Sequence, residues 1–285
     1  MKFSRGATEG SLASLFTNNC VSPINQLLCA LRFYATGCFQ STAGDLSGVS
    51  KATAHRIVHR VSRAIASLHR EFIRFPQSQE EIRTTQLEFF QRARFPKVVG
   101  AIDCTHIKFG QSPGGELPET LGTGRAFSHS MSRALFEQGV YGDAVLVGDS
   151  GYACKPYMMT PLDQCHTPAE NLYNESQIRT RNPVERLFGV WKRRFPAMAL
   201  GLRVRLENML PIITATAVLH NIARRGGEEL PIAFGVTLPA PWEEILSQDD
   251  IPALHERNVP HRRITRDNEA RHRLINIYFE RLAQQ

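Results

Sequence analysis

The stretch Ala144-Val-Leu-Val-Gly-Asp-Ser-Gly-Tyr152, AVLVGDSGY, decides how this chain is read. Its GDSG core looks like the surroundings of a serine-protease nucleophile, which makes Ser150 the reactive group. Its first half is a short continuous apolar run, the pattern of a strand buried on both faces of a parallel sheet. A buried strand that ends in an acid makes Asp149 the reactive group instead. A nucleophilic serine needs a general base and an orienting acid close in space. The chymotrypsin-like class also requires many short alternating strands upstream. The upstream half here has helical periodicity, and its cysteines form no pattern of a secreted protease. Ser150-Gly151 therefore reads as the turn that leaves the strand, and the aspartate is favoured.

A second run of the same kind, FPKVVGAID (residues 95–103), ends in Asp103. Strand ends of an α/β sheet are where ligands bind. Two carboxylates side by side repel each other unless a cation lies between them. Magnesium prefers oxygen ligands and fits such a pair. A third acid lies in RTRNPVERLFGVWKRRFP (residues 179–196). Asn182 has cap character, Pro183 suits a first helical position, and Glu185 stands at the spacing of a capping box. Val184, Leu187, Phe188, Trp191 and Phe195 mark a buried stripe with Glu185 at its edge. Glu185 is the only acid from Arg179 to Phe195, among Arg179, Arg181, Arg186, Lys192, Arg193 and Arg194. So one-sided a cluster favours phosphate contact.

A chain of 285 residues can bury a sizeable core and suggests two units. The formal charge of +7 makes a polyanion a natural partner. Cys20, Cys29, Cys38, Cys104, Cys154 and Cys165 include no CxxC pair, so reduced thiols in an intracellular protein are expected. No apolar run approaches the roughly 20 residues that cross a bilayer. The opening MKFSRGATEG lacks the apolar centre of a signal peptide.

Along the chain, residues 1–20 are polar and read as a flexible lead, and residues 21–76 as a helix-turn-helix unit. Residues 77–96 read as a helical connector, 97–225 as an α/β core, and 226–285 as a loop and a C-terminal helix. Ser22, Pro23 and Gly37 punctuate the first helix. A short helix around Thr42–Leu46 turns at SGVS, and Ser50 caps a longer helix from Lys51 to Arg74. That helix buries Ile57, Val58, Val61, Ile65 and Leu68 while Lys51, Arg56, Arg60 and Arg63 project elsewhere, the layout of a recognition helix. An ordinary basic surface helix is the alternative. His55 and His59 share a face, but the nearby sequence supplies no further ligands for zinc.

The phrases GAIDCTH, LVGDSGYACKPYMMTPL, TPAENLYN and RNPVERLFGVWKRRFP, in this order, closely resemble the PIF/Harbinger transposases and the nuclease domesticated from them in animals. The resemblance spans roughly residues 22–225. It implies a ribonuclease-H-like core with an Asp-Asp-Glu triad that binds magnesium, with manganese as the substitute. The first Asp falls on Asp103, the second on Asp149 and the Glu on Glu185, with 35 residues between the last two, as the family has it. Three carboxylates holding two cations would bracket a scissile phosphate, one cation activating a water and the other stabilising the leaving 3′ oxygen. His106 and Lys108 lie near the first Asp, with phosphate contact and surface roles both open. The resemblance further implies a DNA substrate, a nuclear location (cytoplasmic when unpartnered) and a Myb-like DNA-binding partner protein. The alternative from another class is a noncatalytic nuclear protein that binds DNA or a partner.

The sequence departs from the family in one place. Only 45 residues lie between Asp103 and Asp149. The family phrase resembling RKGYHSINVQAVCD…WPGSVHDSR has no counterpart there. The core is therefore expected to be truncated, with its middle strands missing and the strand bearing Asp103 left as an edge. Weak or lost catalysis is the expected consequence.

Overall fold

The structure is a computed structural model that describes residues 21–37, 40–109, 119–122, 131–228 and 266–284. The flexible lead expected for residues 1–20 lies outside them, as do Cys20, Cys38 and most of the expected loop after residue 226. The helical elements, in chain order, begin with α1 (Pro23–Thr36), α2 (Gln40–Leu46), α3 (Lys51–Ala66), α4 (His69–Phe72) and α5 (Gln79–Ala93). Strands β1 (Val98–Ala101), β2 (His106–Phe109) and β3 (Glu119–Gly122) come next, then α6 (Met131–Glu137), β4 (Val145–Val147) and β5 (Met158–Met159). The rest is helical: α7 (Pro168–Arg194), α8 (Pro196–Leu200), α9 (Leu206–Arg225), α10 (Arg266–Leu274), a π-helical turn (Ile275–Phe279) and α11 (Glu280–Ala283).

Two compact units share these elements. Of the described residues, one comprises 21–37, 40–74, 105–109, 119–122 and 188–228, the other 75–104, 131–187 and 266–284. The units interleave along the chain.

The first unit is mainly helical. Ser22 caps α1 by accepting from the Asn25 amide, and Gly37 ends it at φ 62°. Gly48, at φ 66°, makes the turn between α2 and α3, a backbone angle that side chains resist. Ser50 then caps α3 by accepting from the Thr53 amide. The helix expected to reach Arg74 stops at Ala66 instead. The Ser67 hydroxyl donates to the Ala64 carbonyl at 2.7 Å, and His69 Nδ1 lies 3.0 Å from the Ala66 carbonyl. These side chains satisfy last-turn carbonyls and compete with continuation of the helix. The apolar face of α3, Ile57, Val58, Val61 and Ile65, is buried with Tyr34, Phe195, Met209 and Ile212 in one core. β2 and β3 form an antiparallel pair in this unit, from His106 against Gly122 to Phe109 against Glu119.

The second unit holds a three-stranded sheet in the order β1-β4-β5, parallel throughout. Both faces are covered, which explains the uninterrupted apolar runs. Phe95, Val98, Val147, Tyr173 and Phe279 fill one side, and Val99, Phe136, Tyr141, Leu146 and Met158 the other. Helix α5 opens on a capping box formed by Ser78 and Glu81. Among the described residues β1 pairs only with β4, so it is the edge strand that the short spacing predicted.

Helix α7 corrects the sequence reading. Its capping box lies at Thr167, not at Asn182. Thr167 Oγ1 accepts from the Glu170 amide at 3.2 Å, and Glu170 Oε2 accepts from the Thr167 amide at 3.0 Å. Pro168 occupies the first helical position. The helix is already under way at Asn182 and runs through Pro183 to Arg194. Glu185 therefore caps nothing.

Candidate active site

Asp103 and Asp149 stand at matching places on neighbouring parallel strands. Ala101 pairs with Val147, and the Ile102 amide donates to the Val147 carbonyl at 2.8 Å. Each aspartate lies two residues beyond that last pair, on strands about 4.8 Å apart. Asp103 Oδ1 accepts from the Cys104 amide at 2.8 Å, and Asp149 Oδ1 accepts from the Gly151 amide at 3.1 Å. The latter is an Asx turn. The Tyr152 amide bonds the Asp149 carbonyl at 3.2 Å, which closes the turn expected at Ser150-Gly151. Gly148 is needed just before it: a β-carbon there would meet the Tyr152 ring at 3.0 Å and Met158 Sδ at 3.1 Å.

Tyr152 reports on both acids. Its hydroxyl lies 3.1 Å from Cys104 Sγ. Burial pushes its ionisation well above the ordinary tyrosine range, helped by Cys104 and by the negative charges of Asp149 and Asp103.

Helix α7 is held against these strand ends by Gln177. This fully buried side chain donates to the Gly148 carbonyl at 2.7 Å and to the Met159 carbonyl at 3.2 Å. Positions one and two turns further along the same face are Arg181 and Glu185, roughly 6 and 12 Å up the axis. It is Arg181 that comes level with the acids. Its Nη1 lies 3.4 Å from Asp103 Oδ2 and its Nη2 lies 2.7 Å from Glu185 Oε1. The side chains of Arg181 and Asp103 are only 15% and 13% exposed, whereas that of Glu185 is 49% exposed. Among the described residues no three His, Cys, Asp or Glu side chains are gathered closely enough to hold a metal ion. The donor set nevertheless suits a hard cation, since it is carboxylate throughout and a guanidinium already supplies positive charge between two of its members. Sequence reasoning noted Arg181 only as one of a basic cluster. Its position four residues before Glu185 was the signal that could have singled it out.

The basic side chains divide by what they already hold. In the first unit, Lys51 and Arg56 are exposed on α3, and Arg193 is exposed on α7. Arg60 is half-buried, and Arg63 donates to Asn208 Oδ1 at 2.9 Å. Lys192 donates to the His106 carbonyl at 2.9 Å, so that ammonium ties α7 to β2. Arg194 contacts His220 Nδ1 at 2.7 Å and Glu228 at 2.6 Å. In the second unit, Arg186 is exposed. Side chains tied within the fold have less freedom to meet a phosphate than Lys51, Arg186 and Arg193. Lys108 has a described backbone but no described side chain. Cys29, Cys104, Cys154 and Cys165 are free thiols. No helix among the described residues is long and apolar enough to cross a membrane.

Comparison with known proteins identifies relatives of the chain. Residues 123–221 match the family described as "DDE superfamily endonuclease", a span that includes Asp149 and Glu185 but not Asp103. The chain is 30% identical over 247 residues to "Putative nuclease HARBI1" of Homo sapiens, covering 75% of this chain and 70% of that one. It is 29% identical over 264 residues to the protein of the same name from Bos taurus, covering 80% and 75%. With the Xenopus laevis protein it shares 27% identity over 269 residues, covering 82% and 77%. No solved structure gives a significant match. With a small parallel sheet, acids at its strand ends and relatives matched over most of their length, the chain belongs to the PIF/Harbinger family of DDE superfamily endonucleases.

Proposed function

We propose that this chain is a divalent-metal-dependent DNA endonuclease whose ligands are Asp103, Asp149 and Glu185 on a shortened ribonuclease-H-like core. The observation that carries the reading is the register that puts Asp103 and Asp149 two residues beyond the last pair of adjoining parallel strands. Magnesium or manganese, when bound, would lower the pKa of an attacking water and offset charge on the leaving 3′ oxygen. Asp103 and Asp149 are the primary oxygen donors, each held by a backbone amide, and Glu185 is the more exposed third. Tyr152 packs beside the acid pair and keeps its proton. Lys51, Arg56, Arg60, Arg63, Arg186, Lys192, Arg193 and Arg194 are the proposed phosphate contacts, led by the exposed Lys51, Arg186 and Arg193. The family resemblance adds a nuclear location and a Myb-like DNA-binding partner as proposals on the same footing.

The test is nicking of supercoiled plasmid by purified, folded protein in magnesium. Loss of groups that merely support a metal ligand costs about 10–100-fold, so Asp149→Asn should lose more than that, while Ser150→Ala should nick normally. An intact Asp149→Asn activity, or no magnesium-dependent nicking at all, would overturn the proposal.

The ion pairs of Arg181 with Asp103 and Glu185 favour a second reading, a noncatalytic protein that binds DNA through the exposed face of α3. The α2–Gly48–α3 arrangement supports the helix-turn-helix role for it. Under that reading DNA affinity falls with salt, Lys51→Ala lowers the salt slope by about 1, and Asp149→Asn changes nothing.

A further inference from the structure

The Arg181 guanidinium occupies ground that a cation between Asp103 and Glu185 would need. We propose that Arg181 is an internal counter-ion that holds the acid site closed, and that divalent cation binding requires it to turn away from Asp103. The inference rests on the metal-binding reading above and deepens it.

Placement makes the conflict unavoidable. Gln177 fixes α7 at the carbonyl ends of β4 and β5, and the helix then delivers Arg181 one turn further on the same face. Arg181 and Asp103 are both largely screened from solvent, so Asp103 draws its charge compensation from the guanidinium. A magnesium or manganese ion ligated by Asp103 would sit about 2 Å from a carboxylate oxygen. Arg181 Nη1 lies 3.4 Å from one of those oxygens, so guanidinium and ion would meet as like charges inside a poorly screened site. The two cannot share Asp103 at full strength.

The contact is also built to open. Its Asp103 arm is long, at 3.4 Å, while its Glu185 arm is short, at 2.7 Å, and Glu185 is half exposed. Loss of the Asp103 arm leaves Arg181 held on the outer side by Glu185. Glu185 in turn reaches a metal only once Arg181 releases it. Closed, Asp103 and Glu185 are both paired with Arg181; once the Asp103 arm opens, Asp103 is free to face a cation beside Asp149, and Glu185 follows only when Arg181 leaves it as well. DNA phosphates are chemically suited to draw the guanidinium outward, because a planar fork pairs with phosphate as readily as with carboxylate.

The experiment is manganese binding by the full chain, followed by the loss of the free-ion electron paramagnetic resonance signal. Wild type, Arg181→Gln, Asp149→Asn and the double variant are compared, with circular dichroism to confirm folding. Arg181→Gln should bind manganese on the order of tenfold more tightly than wild type, and Asp149→Asn should weaken binding in both backgrounds. Unchanged or weaker binding in Arg181→Gln, with Asp149→Asn still effective, would overturn the counter-ion role and leave the metal site standing. Binding that ignores Asp149 in every variant would overturn the metal site and the counter-ion role together. Should Arg181→Gln fail to fold, wild-type protein suffices: manganese should speed phenylglyoxal labelling of Arg181, read by mass spectrometry. An unchanged labelling rate would refute release of the guanidinium.

Discussion

Gln177 does more for the acid site than its neutral side chain suggests. A fully buried amide that donates to two carbonyls at adjacent strand ends sets both the depth and the rotation of α7. Gln177→Leu keeps the volume and removes both donors. The Met159 carbonyl still accepts from the Gly148 amide, but the Gly148 carbonyl loses the amide of Gln177. A buried acceptor left without its partner costs about 1–3 kcal/mol. Denaturant titration should show a loss of that size. A neutral effect would mean that α7 is positioned by its apolar contacts alone. The aspartates themselves were legible in the sequence because a buried strand ending in an acid is a local pattern. Arg181 was not. Its role depends on which helical turn lies level with the strand ends, and only packing decides that.

At the scale of elements, helix α7 shows how local signals mislead when two of them compete. Asn182-Pro183-Val184-Glu185 has the chemistry of a helix start, and so does Thr167-Pro168-Ala169-Glu170. The structure uses the second. Once α7 starts at Pro168, the buried face through Leu172, Tyr173, Ser176, Gln177 and Thr180 carries it onward, and packing overrides the proline. Pro183 still lacks an amide for the Arg179 carbonyl four residues earlier. Pro183→Ala restores that donor. Against an interior penalty of about 3 kcal/mol for proline, a gain of about 1–3 kcal/mol in unfolding free energy is expected. A loss would show that the helix depends on a bend at Pro183. The ends of α1 and the start of α3 were legible because Ser22, Gly37 and Ser50 act on their immediate neighbours. The early end of α3 was not, because Ser67 and His69 stop it with side chains that suit a continuing helix equally well on paper.

At the scale of the whole molecule, two buried histidines set its response to acid. His59 is held down to a pKa of about 4, first by burial and then by the nearby charges of His55 and Arg63. His220 is likewise held down to about 4, first by burial and then by Arg194 and Arg224. Both belong to the first unit. Below the ordinary histidine value of 6.5 the unfolded chain takes up protons that the folded chain refuses. Stability is therefore full above that value and falls as the pH drops toward 4, by at most about 3 kcal/mol per histidine. Thermal melts between about pH 7 and pH 5 should show the decline, and His59→Leu should flatten it. A flat profile in the wild-type protein would contradict the neutral, buried state of both rings.

The turn that carries Phe279 closes the sheet's core. Phe279 is fully buried against Phe95 and Tyr173, and the Tyr278 hydroxyl reaches back to the Arg94 carbonyl at 2.8 Å. A growing polypeptide leaves the ribosome with its first residues leading, so β1, β4 and β5 emerge long before the aromatic ring that seals them. Until residue 279 is free, Phe95 and Tyr173 lack their cover. For this protein, the sheet waits for its aromatic cover until Phe279 has left the ribosome, and its apolar face is open to other chains in that interval.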